Sequence, residues 1–203
     1  MYCFNNTRKI LEPICDLALD LAWSASDRSR KALGGGAMMT EFGAVGSDPV
    51  SLQLLGTVLD AAEQRLQSWA YWNFKSYDDI TTAGSPASEG LYNPDGSVQT
   101  QKVRLLSRPF ATAVAGHSIR SKFDSRTNTY TLSYNITERL LNATTDIFIN
   151  RAMYYPRGHE IQFSPVGVDA RAESIANDGD RIVVKHGHIP TGTTLEVRVV
   201  SRH

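Results

Sequence analysis

Cysteine is scarce in this chain. Cys3 and Cys15 are its only two among 203 residues, too few for a disulfide-dense scaffold or a multi-cysteine zinc cluster. They stand close enough to close a small loop, or to remain separate thiols. Long apolar runs are also missing. No stretch reaches the roughly 20 residues of a membrane-spanning helix, and the first residues lack a signal peptide's basic start and apolar core. Neither sign of charge dominates, with 21 basic against 21 acidic residues. A nucleic-acid footprint and a solvating acidic tail are therefore not expected. No phosphate-cradling glycine loop and no Ser-His-Asp order occurs. No cofactor and no metal are expected.

What is present suffices for one full domain or parts of two, since 41% of residues are hydrophobic. Three N-glycosylation sequons begin at Asn5, Asn135 and Asn142. Together they favour a secreted or lysosomal protein, in which a Cys3–Cys15 disulfide would be at home.

The stretch Gly34 to Gly43 organises the first half. Three glycines end what precedes them, and Ala37, Met38 and Met39 read as a buried strand with Glu41 at its end. A carboxylate at the carboxyl end of a buried parallel strand is where barrel enzymes keep their chemistry. The plainer alternative is a solvated glutamate. Upstream, Met1–Phe4 reads as the tail of a strand, and Thr7 can cap a helix through Leu21, with Pro13 as a possible break. A polar segment with Asp27, Arg28, Arg30 and Lys31 then leads to the glycines. Downstream, Asp48 and Pro49 start a helix whose apolar positions run from Val50 to Leu66. Ser68–Asn73 follows as a short strand, completing a parallel βαβ unit. Residues 74–96 read as loop. Val98–Val114 returns to helical spacing, with Pro109 expected to kink it and Gly116 to stop it.

Beyond Gly116 the period changes. Tyr130, Leu132 and Tyr134 alternate with polar residues, as do Ile147 with Ile149, Ile182 with Val184, and Leu195 with Val197 and Val199. Turn residues separate these runs: 124–128, 156–158, 177–180 and 190–192. This is the pattern of a small antiparallel sandwich. The boundary falls near residue 117, giving segments 1–116 and 117–203.

Several of these residues, in order, resemble one family. Thr40-Glu41-Phe42-Gly43, Ser68-Trp69-Ala70-Tyr71-Trp72 and Tyr77-Asp78-Asp79-Ile80-Thr81-Thr82-Ala83 are similar to the endoglycoceramidase branch of glycoside hydrolase family 5. Leu91–Ser97, Leu106–Phe110, Ala113–Gly116, Phe123-Asp124 and Tyr130–Tyr134 extend the likeness over nearly the whole chain. The resemblance implies an α/β fold: the C-terminal part of a (β/α)8 TIM barrel over 1–116, followed by an all-β antiparallel sandwich over 117–203. It also implies a retaining hydrolase of the β-glycosidic bond between sugar and ceramide. That chemistry uses two carboxylates roughly 5–5.5 Å apart, one attacking the anomeric carbon and one trading a proton with the leaving oxygen.

By this resemblance Glu41 is the nucleophile. Trp72 matches the tryptophan that lies under the sugar at the end of strand eight, whereas Trp69 would face another layer. Tyr2 matches the tyrosine that hydrogen-bonds the nucleophile from strand six. The family's acid/base glutamate follows an asparagine, and no Asn-Glu pair occurs here. The chain therefore reads as the last part of a longer enzyme, beginning within strand six and inactive alone. The expected partner is a glycosphingolipid or other β-glycoside, with peripheral contact to a membrane or micelle and no spanning segment. Two rivals are a β-glucosidase acting on glucosylceramide or a steryl glucoside, and a non-catalytic carbohydrate- or lipid-binding remnant.

Other candidates carry less. His186 and His188 form a His-x-His pair without an evident third ligand, so they read as surface histidines. Asp78 and Asp79 read as turn residues, Lys75 as solvated, and Asp178-Gly179-Asp180 as a hairpin turn.

Overall fold

The structure is a computed structural model. It describes residues 12–77, 79, 89–140, 142–175 and 179–202, without the side chains of 12–20. Tyr2, Cys3, Thr7, Asp78, Asp178 and the side chain of Cys15 lie outside that range, as does the strand end read at Met1–Phe4. The chain forms two compact units, Met1–Val103 and Arg104–His203.

In the first unit, α1 spans Glu12–Leu33. It continues through the segment read as merely polar, because Arg, Lys, Ala and Leu are all good helix formers. Asp27 braces it with Arg30 at 3.5 Å. Gly34, at φ 76°, ends it by donating its N–H to the Arg30 carbonyl. The helix runs on past Pro13 without the break expected there. Strand β1 covers Met38–Gly43 and β2 covers Ser68–Trp72, in parallel register. Helix α2, Pro49–Gln64, connects them. Asp48 caps α2 by accepting from the N–H groups of Val50 and Ser51 at 3.1 Å. Leu55, Leu59 and Ala62 form its buried stripe. The βαβ reading therefore holds. The expectation of a buried β1 does not hold at Met38, which is 56% exposed. Among the described residues β1 pairs with β2 alone, so little covers its first half.

The predicted helix Val98–Val114 is two elements. Helix α3 covers Thr100–Leu106 and strand β3 covers Phe110–Ala113. Pro109 lacks the N–H a helix needs and biases Arg108 toward extended backbone. Phe110 and Ala111 then pair with Phe148 and Ile147 of β6 (Thr144–Phe148). The division between units falls inside α3, upstream of the 116/117 boundary read from the change in periodicity. β3 thus belongs to a sheet of the second unit.

That unit is an antiparallel two-sheet sandwich. One sheet runs β4 (His117–Asp124), β5 (Thr129–Asn135), β10 (Thr194–Ser201), β7 (His159–Ser164). The other runs β3, β6, β9 (Arg181–His186), β8 (Ala170–Ser174). A short helix, α4 (Arg151–Tyr154), connects β6 to β7. The alternating residues named from sequence face the core: Tyr130, Leu132, Tyr134, Ile147, Ile182, Val184, Leu195, Val197 and Val199 are fully buried. Each such side chain contributes about 1.5–3 kcal/mol on burial.

Candidate active site

Glu41 sits in a β-bulge. Met39 pairs with Trp69 and Phe42 with Tyr71, so β1 advances three residues while β2 advances two. Thr40 and Glu41 together stand opposite Ala70. Such bulges re-aim side chains and are common beside active sites. Phe42 fixes which face is which. Its ring meets Trp69 edge-on at 5.4 Å and Tyr71 at 5.7 Å, so Phe42, Trp69 and Tyr71 share one side. Alternation places Ala70 and Trp72 on the other, and the bulge gives Thr40 and Glu41 to that side too. Both are exposed.

The strand ends meet closely. Gly43, at φ 116°, pairs with Trp72. A Cβ at Gly43 would lie 2.4 Å from Tyr71 Cε2 and 2.7 Å from the Trp72 carbonyl oxygen. The Ala44 N–H donates to that carbonyl at 2.7 Å. Trp72 itself is half-buried, and its peptide bond to Asn73 is cis. The geometry thus collects Glu41 and Trp72 on one face, at the carboxyl ends of adjacent parallel strands. Trp69 is engaged with Phe42 on the opposite face. Tyr2 lies outside the described residues.

Past Trp72 the chain is held by backbone bonds. Tyr71 Oη and the Asn73 N–H both donate to the Glu89 carbonyl, at 3.0 and 3.4 Å. Lys102, fully buried, donates to the Gly90 carbonyl at 2.9 Å. Burial pushes its ammonium down to about 8, with Glu89 pulling the other way.

Three features escaped the sequence reading. The Asn73 carboxamide, 6% exposed, has no hydrogen-bond partner among the described residues. Phe74 and Tyr77 are exposed aromatics, Phe74 edge-on to Tyr92 at 5.4 Å and Tyr77 under the Lys75 ammonium at 5.2 Å. The aromatic-basic run directly after Trp72 was the available signal. Lys75, expected in solvent, is exposed and rests on that ring.

The histidine pair separates. His186 is half-buried, with Nε2 at 2.6 Å from Tyr134 Oη, and is not a surface residue. It continues the inward phase of β9 after Val184. His188 lies beyond the strand, exposed, its N–H donating to Asp169 at 2.6 Å.

Known proteins share this architecture. Residues 108–199 match the Glycoside hydrolase family 5 C-terminal domain. That match lies within the second unit. Over more of its length the chain is similar to endoglycoceramidases. It is 24% identical to the endoglycoceramidase of Cyanea nozakii over 82% of this chain and 33% of that protein. It is 27% identical to endoglycoceramidase I of Rhodococcus hoagii over 92% of this chain and 34% of that protein. The chain thus spans about a third of the length of these curated relatives. Among solved structures, endo-glycoceramidase II from Rhodococcus sp. superposes with TM-score 0.73 at 18% identity, over 98% of this chain and 41% of that one. Sterylglucosidase 1 of Cryptococcus neoformans gives 0.61 at 14%, over 76% and 24%. These superpositions speak for the fold.

Proposed function

We propose that these residues supply the nucleophile and the C-terminal domain of a retaining glycoside hydrolase that cuts the β-glycosidic bond between sugar and ceramide. One observation carries the reading: Glu41, opposite in phase to Phe42, shares the face of Trp72 at the carboxyl ends of two parallel strands. In this reading β1 and β2 are the last two strands of a (β/α)8 barrel. Glu41 attacks the anomeric carbon as a carboxylate. The glycosidic oxygen leaves with a proton from a second carboxylate, and water then frees the sugar from the ester. That second carboxylate lies on neither β1 nor β2. Trp72 offers its ring to the sugar's C–H face, and Tyr2 hydrogen-bonds Glu41. Phe74 and Tyr77 offer apolar surface beside this polar site, as a lipid-linked glycoside requires.

The similarity to endoglycoceramidases supports the substrate class, and the three sequons support a secreted or lysosomal setting. The test is covalent trapping. A glycosphingolipid-cleaving preparation containing these residues is inactivated with a 2-fluoro glycoside and mapped by mass spectrometry. The label is expected on Glu41; a label on another carboxylate refutes the assignment.

A further inference from the structure

Charge is balanced over the whole chain but leans positive on one surface. The strands of the sheet β4-β5-β10-β7 turn Phe123, Tyr130, Leu132, Tyr134, Leu195, Val197 and Val199 inward. Alternation sends their neighbours outward, and the register aligns those in rows. Lys122 pairs with Thr131, Thr131 with Arg198, and Arg198 with Gln162. Arg120 pairs with Ser133, and Ser133 with Glu196. Arg120, Lys122 and Arg198 are all exposed.

One end of this face opens into a cavity of about 740 Å³. Arg126 from the β4–β5 turn and Arg202 from the end of β10 line it, with Thr127, Thr129, Glu160, Val200 and Ser201. Five cations therefore share the face with three carboxylates, Asp124, Glu160 and Glu196. Asp124 lies 3.5 Å from Arg126, and Glu160 accepts from Gln162 at 2.9 Å. His159 registers the local field: burial first, then Arg151 and Arg202, hold its imidazole below the ordinary value.

We propose that this face docks on a membrane surface bearing anionic phospholipid, with Arg126 and Arg202 holding a lipid phosphate in the cavity. Four strands at about 4.8 Å spacing present a surface roughly 15 Å across, wider than one small anion needs. None of the outward residues in these rows is aromatic, so nothing here stacks a nucleic-acid base. Each Lys or Arg brought to an anionic leaflet adds attraction that salt screens.

The test is co-sedimentation of purified residues 1–203 with vesicles that contain no glycolipid, so the result is independent of the hydrolase reading. Binding is expected with mixed phosphatidylcholine and phosphatidylserine, not with phosphatidylcholine alone, and it weakens as salt rises. The variant R120Q/K122Q/R198Q/R202Q loses at least about tenfold in affinity. The double variant R126Q/R202Q, outside the inter-strand ladder, loses less but in the same direction. R28Q/K31Q/R171Q/K185Q removes equal charge elsewhere and leaves binding intact. Equal losses in the two quadruple variants would overturn the proposal, as would equal binding to the neutral vesicles. Displacement by inorganic phosphate, at ionic strength matched with chloride, would assign the cavity to a free anion and overturn it too. So would equally tight binding of single-stranded DNA.

Discussion

Tyr134 Oη lies 2.6 Å from His186 Nε2 and accepts from Thr145 Oγ1 at 3.0 Å. Thr145 in turn accepts from the Ala115 N–H at 2.9 Å. Thr145 donates to the phenol, whose own proton can serve a neutral His186 Nε2. A proton there would oppose the Tyr134 O–H. Burial already holds the His186 imidazole below its ordinary 6.5, and His159 is shifted the same way. The unfolded chain then binds these protons more readily than the folded one. Stability of the second unit is expected to be level above pH 6.5, to fall as pH drops from 6.5 toward the lower folded-state values, and to level again below them. Urea midpoints measured from neutral to acid pH check this, and His186→Gln should flatten the slope.

Lys102 sets an alkaline window for the first unit. Its folded value of about 8 against 10.5 in water means that the folded state sheds the proton first. Stability of this unit should rise between those values, by at most ~3 kcal/mol. Lys102→Met should abolish that rise in an unfolding series read by the first unit's tryptophans. In the second unit burial pushes Tyr134 up to about 12 and raises Tyr155 as well. Their contribution is complete below the unfolded phenol value and is lost above it, so the sandwich should weaken at high pH instead.

Two adjacent tyrosines should respond oppositely to loss of a hydroxyl. Tyr154 donates to the Arg104 carbonyl, and the Arg104 guanidinium lies 4.3 Å from its ring centre. Tyr155 is just as buried, but its hydroxyl has no hydrogen-bond partner among the described residues. Tyr154→Phe is expected to cost about 1 kcal/mol, whereas Tyr155→Phe should be neutral or stabilising by a similar amount. Thermal unfolding of the two variants decides it.

Gly43→Ala tests the strand-end contact. The added methyl meets the Tyr71 ring and the Trp72 carbonyl on a backbone already at φ 116°. The first unit should lose roughly 1–3 kcal/mol, read from urea midpoints. Gly56→Ala serves as the control, because nothing lies within 4 Å of its missing Cβ.

In a glycosphingolipid-cleaving preparation, Glu41→Gln should lower kcat by at least about 10³-fold. Trp72→Ala should weaken kcat/KM with little loss of stability. Trp69→Ala should destabilise instead, because that ring packs on Phe42.

Local signals were legible in the sequence, and long-range ones were not. Asp48-Pro49 announced α2 because a cap needs only its own first turn. Tyr130, Leu132 and Tyr134 announced β5 because alternation is local. The stretch from Val98 to Val114 misled because its apolar spacing suits a helix while Pro109 and the partner strand β6 impose another end. His186 was misplaced because its partners, Tyr134 and Thr145, are remote in sequence. At the candidate site, Glu41 and Trp72 could be named from motif. The shared face could not, because a bulge exists only between two paired strands.

That bulge also makes backbone length a determinant of how β1 approaches the carboxylate from Met39. Removing Thr40 alone would restore one-to-one pairing opposite Ala70 and leave every later residue of β1 in its present phase. A family alignment that closes a gap at this position would therefore conceal a change in chain geometry that substitution scanning of Glu41 cannot reveal.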